Sequence, residues 1–123
     1  MRTMFPTLDV AVHARPERIV VSICGELDID TSPYVTDVTA TLPLDGPALA
    51  VDLSGVTFMD SAGLDMLLDL RRRMATEGHR LHLVSVPRQV LRLLDITGSR
   101  HLFTLHTTTP HSNVFPRAAC QAV

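Results

Sequence analysis

Residues Val51 to Arg73, VDLSGVTFMDSAGLDMLLDLRRR, restrict the fold more than any other stretch. An apolar run ending at Leu53 passes through a short connection to Phe58-Met59-Asp60-Ser61-Ala62-Gly63, after which apolar residues recur at helical spacing. A strand that feeds a helix in this way is half of a βα unit, and it sets Ser61 at the helix start. The position predicts that Ser61 acts as N-cap, its oxygen accepting from the backbone N–H of Gly63 or Leu64. It also tolerates a phosphate, because free N–H groups and the helix dipole both favour negative charge there. Ala62 and Gly63 are small and leave the hydroxyl open to a visitor.

The rest of the chain surrounds this unit with similar pieces. Leu8 to His13 alternates apolar and polar residues, and Ile19 to Cys24 is β-branched, with Arg15-Pro16-Glu17-Arg18 as the turn of a hairpin. Thr31-Ser32-Pro33 starts a helix that runs to about Leu42 with Tyr34, Val35, Val38 and Leu42 inward. Ala48 to Leu53 reads as a central strand covered on both faces. The second helix runs from Ser61 to about Thr76 and stops at Gly78. Gly63, Met66, Leu67, Leu70 and Met74 form its core side, and Asp69 and Arg73 support each other on the opposite face. Leu64 and Leu68 fall on the margin, either core edge or docking surface. Arg80 to Val86 is a further strand, Pro87 starts a third helix that stops at Gly98, and Leu102 to Leu105 is a short last strand. The order β-β-α-β-α-β-α-β predicts an α/β fold: one mixed sheet with helices packed mainly on one face. A single domain over 1–123 is expected, with its core at about 8–106 and an uncertain helix or tail over 107–123.

Composition excludes more than it proposes. The net charge is −2, without the basic excess of a nucleic-acid-binding domain. All eleven basic residues are arginine, and no lysine means no P-loop and no Schiff-base mechanism. The N-terminus lacks the pattern of a secretory leader, and no apolar run has spanning length, so a soluble cytoplasmic protein is expected. Cys24, in a strand-like run, is read as a buried small hydrophobe rather than half of a disulfide with Cys120. Asp28, Asp30, Asp52 and Asp60 invite a metal or acid–base reading, but no histidine or cysteine stands around them at zinc spacing, and loop-end aspartates usually cap or solvate. His79 and His82 are expected on different faces. Met59-Asp60-Ser61-Ala62-Gly63 is not the G-x-S-x-G elbow of a serine hydrolase. No cofactor motif or metal site is expected, and the chain is not read as an enzyme. Ser61 remains as a substrate: a phosphate there would add about −1.5 to −2 charges.

Gly25-Glu26-Leu27-Asp28, then Phe58-Met59-Asp60-Ser61-Ala62-Gly63-Leu64, then Arg92-Leu93-Leu94-Asp95-Ile96-Thr97-Gly98 resemble the STAS domain of bacterial anti-sigma factor antagonists, over about Leu8 to Leu105. The resemblance implies a STAS fold and a switch. An anti-sigma factor with serine-kinase activity, of the ATP-binding type, would phosphorylate Ser61. The unphosphorylated antagonist would bind that factor and free a sigma factor to regulate transcription, and a phosphatase acting on phospho-Ser61 would reset the switch. Asp28, Asp60, Ser61, Ala62, Gly63, Leu64 and Leu68 are the implied partner-binding residues. A monomer or weak homodimer is expected, without nucleic acid or membrane as a partner. Ala62 stands where close relatives often carry a second hydroxyl, and the proline-bearing tail departs from the family's terminal helix. Two rivals are a STAS interaction or scaffold module without a phosphoswitch, disfavoured by a stand-alone chain without spans or extra domains, and a small enzyme using Ser61 and Asp28, which lacks a base.

Overall fold

The alternation over the first strand and the β-branched run after Arg18 build the antiparallel half of a six-stranded sheet. In the computed structural model, residues 2–5, 8–43 and 48–106 are described, the first group in its backbone alone. β2 (Leu8–Ala14) and β3 (Arg18–Leu27) form the expected hairpin, with the Arg15 N–H donating to the Arg18 carbonyl at 2.8 Å. β1 (Arg2–Phe5) adds antiparallel to β2 and was not expected, since four residues are too few to display a period.

The parallel half follows by crossovers. β4 (Ala48–Met59) lies beside β3, β5 (His82–Val84) beside β4, and β6 (Thr104–His106) beside β5. The crossovers are carried by α1 (Ser32–Ala40), α2 (Ser61–Thr76) and α3 (Arg88–Thr97), with a 3-10 turn at Arg100–Leu102 ahead of β6. Strand order across the sheet equals order along the chain.

β4 corrects the sequence reading. No connection separates Leu53 from Phe58: the strand continues through Ser54 and Gly55 and stays paired with β3 up to Leu27 opposite Met59. Two register shifts, between Ser22 and Cys24 and between Gly25 and Glu26, absorb the misfit. Gly25 takes φ 113° at the second, a conformation other residues rarely adopt. Ser54-Gly55 has loop-like chemistry, and pairing with β3 overrides that local preference.

All three helices pack on one face. Val35 and Val38 of α1, Met66, Leu67, Leu70 and Met74 of α2, and Val90 and Leu94 of α3 join one apolar cluster with Leu8, Val10, Val21, Leu49, Val51, Leu53 and Leu83 of the sheet. Tyr34 and Leu42 pack against it half-buried. Leu64, set on the helix margin from sequence, is core at 4% exposure. α3 ends as expected at Gly98 with φ 70°. Asp69 pairs with Arg72 rather than Arg73, whose Nη2 donates to the Thr39 carbonyl on α1 at 3.1 Å. A nearby backbone acceptor on the packed helix competes better than an exposed i,i+4 carboxylate.

The opposite face is less bare than simple alternation suggests. Ala11, Val20, Cys24 and Val84 are buried there, outside the main cluster, as are Asp9 and Asp52. Cys24 is buried as read, but it is disulfide-bonded, which corrects its assignment as a plain hydrophobe. Sequence separation does not reveal which cysteines approach in space, and the chain's other cysteine, Cys120, lies outside the described residues. The helix or tail expected over 107–123 lies outside them too. Among the described residues, no helix is long and apolar enough to cross a membrane.

Candidate functional site

The ends of β3 and β4 and the starts of α1 and α2 meet at one edge of the molecule. The Asp60 N–H donates to the Leu27 carbonyl at 3.2 Å, joining the two strand ends just before each chain turns away. One residue on, Asp28 begins the turn into α1; one residue on, Ser61 begins α2. Asp28 and Ser61 are brought together by this register, although far apart in sequence.

Asp60, not Ser61, caps α2. Its extended backbone places Oδ1 as acceptor for the Ala62 N–H at 2.9 Å and the Gly63 N–H at 3.3 Å. Ser61 is the first helical residue and is exposed. The correction has a physical reason: Asp60 holds the extended backbone of a cap, which aims its carboxylate at the free N–H groups and the positive end of the dipole, whereas Ser61 is already helical. The Ser61 oxygen is therefore not needed to hold the helix. Replacing Asp60 by alanine is expected to destabilise the fold by about 1–2 kcal/mol. Faster hydrogen exchange at Ala62 and Gly63 should accompany it, and unchanged exchange there would refute the assigned cap.

Gly63 fixes how closely α2 approaches the strand ends. A Cβ at this position would lie 2.8 Å from the Leu27 carbonyl oxygen and 2.8 Å from Met59 Cγ. Gly63 is buried, so it shapes the site from beneath. Of the other implied contact residues, Ala62 is half-buried, Leu64 is core and Leu68 is half-buried against that core. Leu64 thus corrects the possibility of a docking leucine.

Asp28 organises its own turn. Its Oδ1 accepts from the Asp30 N–H and the Thr31 N–H, each at 3.0 Å, and Thr31 Oγ1 donates to the Glu26 carbonyl at 2.7 Å. The carboxylates of Asp28 and Asp60 are both engaged by backbone donors, the arrangement of turns and caps. This turn holds Ile29 outward at 74% exposure.

Between α1 and α2 runs an open groove of about 490 Å³, lined on the α1 side by Ile29, Ser32, Thr36 and Asp37 and on the α2 side by Ala62, Asp65, Met66 and Asp69. Its rim is acidic and its floor apolar. Ile29, Asp37 and Asp69 were missed from sequence as site residues, because only the packing of α1 on α2 brings them beside Ala62. An isoleucine set between two aspartates in a turn, Asp28-Ile29-Asp30, was the one visible signal. Gln89 was missed as well: its Oε1 accepts from the Met59 N–H at 2.9 Å and its Nε2 donates to the Met59 carbonyl at 2.8 Å, so α3 grips the residue just before Asp60.

With this geometry in view, the comparisons place the chain. Residues 10–105 match the family model described as "Mlab, STAS domain". Anti-sigma-B factor antagonists are among its relatives. That of Staphylococcus aureus is 30% identical over 103 residues, 83% of this chain and 95% of its own, and that of Bacillus subtilis is 29% identical over 98 residues, covering 80% and 90%. The crystal structure of an anti-sigma factor antagonist from Mycobacterium paratuberculosis superposes with a TM-score of 0.73 at 28% identity, covering 98% of both chains. The chain belongs to the STAS-domain family of anti-sigma factor antagonists.

Proposed function

We propose that this protein is a phosphorylation-switched antagonist of an anti-sigma factor, with Ser61 as the phosphoacceptor. In the unphosphorylated state it binds an anti-sigma factor that is itself a serine kinase of the ATP-binding type, and a sigma factor is released to act in transcription. Phosphate on Ser61 breaks that complex, and a phosphatase restores it. The chain supplies no catalytic group; Ser61 is a substrate. The reading sets the protein in the cytoplasm as a monomer or weak homodimer, in a compartment where the Cys24 disulfide would be open to reduction.

The observation that carries the proposal is the exposed Ser61 hydroxyl at the first turn of α2, relieved of capping by Asp60. A kinase needs an acceptor whose oxygen can leave its local hydrogen bonds without unravelling the backbone, and this one has that freedom. The helix N-terminus also favours the product's negative charge by about 0.3–1 kcal/mol. Ile29 and the acidic groove beside Ala62 give a partner a surface next to the acceptor.

The test is phosphoryl transfer. The purified chain, incubated with magnesium ATP and the kinase-type anti-sigma factors of its own genome, should gain one phosphate, located by mass spectrometry on Ser61. Ser61→Ala should gain none and still bind. Transfer to a different residue, or stable binding with no transfer by any of those kinases, would sink the switch; the second outcome favours the plain STAS interaction module.

A further inference from the structure

The sheet face turned away from the helices carries a second hollow, of about 200 Å³, lined by Arg18, Ala48, Ala50, His82, Val84 and His106. The parallel register assembles it from four strands: Arg18 of β3 lies beside Ala48 of β4, Ala50 beside His82 of β5, and Val84 beside His106 of β6. Arg18 and Ala48 begin their strands, whereas Ser61 follows the end of β4. At ~3.3 Å per residue, the hollow and Ser61 sit roughly 30 Å apart along the sheet.

Three features of this hollow converge on a ligand. The floor is apolar, made by Ala48, Ala50 and Val84. Arg18 Nε is buried without a hydrogen-bond partner, so a ligand would meet this guanidinium at its other nitrogens. A guanidinium stays charged at any ordinary pH, and a buried N–H without an acceptor is a cost that native structures rarely leave standing. Across the floor, His82 Nδ1 and His106 Nε2 lie 2.9 Å apart, so one ring donates to the other.

A second arginine stands near His82. Arg80, just ahead of β5, donates from Nε to Thr104 Oγ1 at 2.7 Å and from Nη2 to the His101 carbonyl at 3.4 Å. Burial lowers the His82 pKa, and His106 and Arg80 lower it further. Among the described residues no carboxylate lines the hollow. Asp52, next to Val84 in the register, is buried and accepts from the Ser54 N–H at 2.9 Å.

We propose that this hollow is a binding site for a small organic carboxylate, its acid group on the Arg18 guanidinium and its short apolar body against Ala48, Ala50 and Val84. Planar carboxylate matches the guanidinium fork, and the pair is strengthened by partial desolvation. The apolar floor selects against a bare inorganic anion, which would leave it uncovered. The volume of about 200 Å³ corresponds to about seven waters at ~30 Å³ each, room for an acid as small as butyrate. The site is separate from the Ser61 edge, and its success or failure is read without any sigma-factor partner.

The experiment is a nuclear magnetic resonance titration of the full chain with butyrate, butyramide and inorganic phosphate. Butyrate should produce saturable millimolar shifts centred on residues 18, 48, 50, 82, 84 and 106, and butyramide and phosphate should bind at least about tenfold more weakly. The bound carboxylate should raise the His82 pKa, because a nearby negative charge favours the imidazolium. Arg18→Met should weaken butyrate at least tenfold. Ala50→Leu, which fills the hollow while keeping the charges, should abolish binding and covers the case in which Arg18→Met does not fold. Unsaturable shifts, unchanged butyrate affinity in a folded Arg18→Met or in Ala50→Leu, or phosphate binding as tightly as butyrate would each overturn the proposal.

Discussion

Ser61→Asp is expected to weaken binding to the kinase-type partner by at least about tenfold, and phosphate on Ser61 by about a hundredfold or more, with the melting temperature almost unchanged. On the proposed switch, the partner's own nucleotide phosphates lie close to this hydroxyl, so a charge placed there meets like charge. Two unit charges ~6 Å apart repel by roughly 0.7 kcal/mol in water and ~3 kcal/mol at an effective dielectric of 20. Two such encounters plus desolvation exceed the ~1.4 kcal/mol that makes a tenfold change, and the larger charge of a phosphate pushes further.

Stability responds differently, because Ser61 is exposed and its oxygen does not cap the helix. Surface changes of this sort usually stay within ~0.5 kcal/mol. Calorimetric titration of wild type, Ser61→Ala and Ser61→Asp against the partner, beside thermal melts of each, separates the two effects. Equal affinity for the Ala and Asp variants would end the switch hypothesis.

Gly63→Val should cost about 3 kcal/mol or more, out of a total stability near 5–15 kcal/mol for a domain of this kind. The first added carbon already falls 2.8 Å from the Leu27 carbonyl oxygen and 3.0 Å from Leu27 Cβ. Met59 can move its side chain; the Leu27 carbonyl cannot move freely, because it accepts the Asp60 N–H. The helix must then lift from the strand ends, and the cap and Ser61 move with it. Gly63→Ala should lose less, since alanine's better helix propensity returns up to about 1 kcal/mol. Urea unfolding checks both: a valine variant within ~0.5 kcal/mol of wild type would show that α2 does not rest on Leu27 as described.

The parts of this fold legible in the sequence were those with a local cause. Proline at the start of α1, the glycine after α3 and the apolar stripe Met66-Leu67-Leu70-Met74 each act within a turn or two, and each is found where expected. What escaped depended on partners distant in the chain. β4 runs past Leu53 because β3 is there to pair with it, and Leu64 is buried because the packed core reaches it. The sequence pattern gives the cap to Ser61, whereas the turn out of β4 gives it to Asp60, one residue earlier. The groove along Ile29, Asp37 and Asp69 belongs to no single segment, and the hollow at Arg18 exists only once four strands lie side by side. Periodicity announces which face of a helix is buried; it does not say which two helices will share a rim.

Because the strands stand across the sheet in the order they are translated, growth of the sheet on the ribosome never has to wait for a later segment to be inserted. Each new ribbon leaving the exit tunnel finds an edge already exposed by its predecessor, whereas α1 must wait for α2, the helix it packs against. At roughly 5–20 residues per second, the hairpin is out seconds before α2, so a nascent chain stalled with everything through Met59 outside the tunnel should already protect β2 and β3.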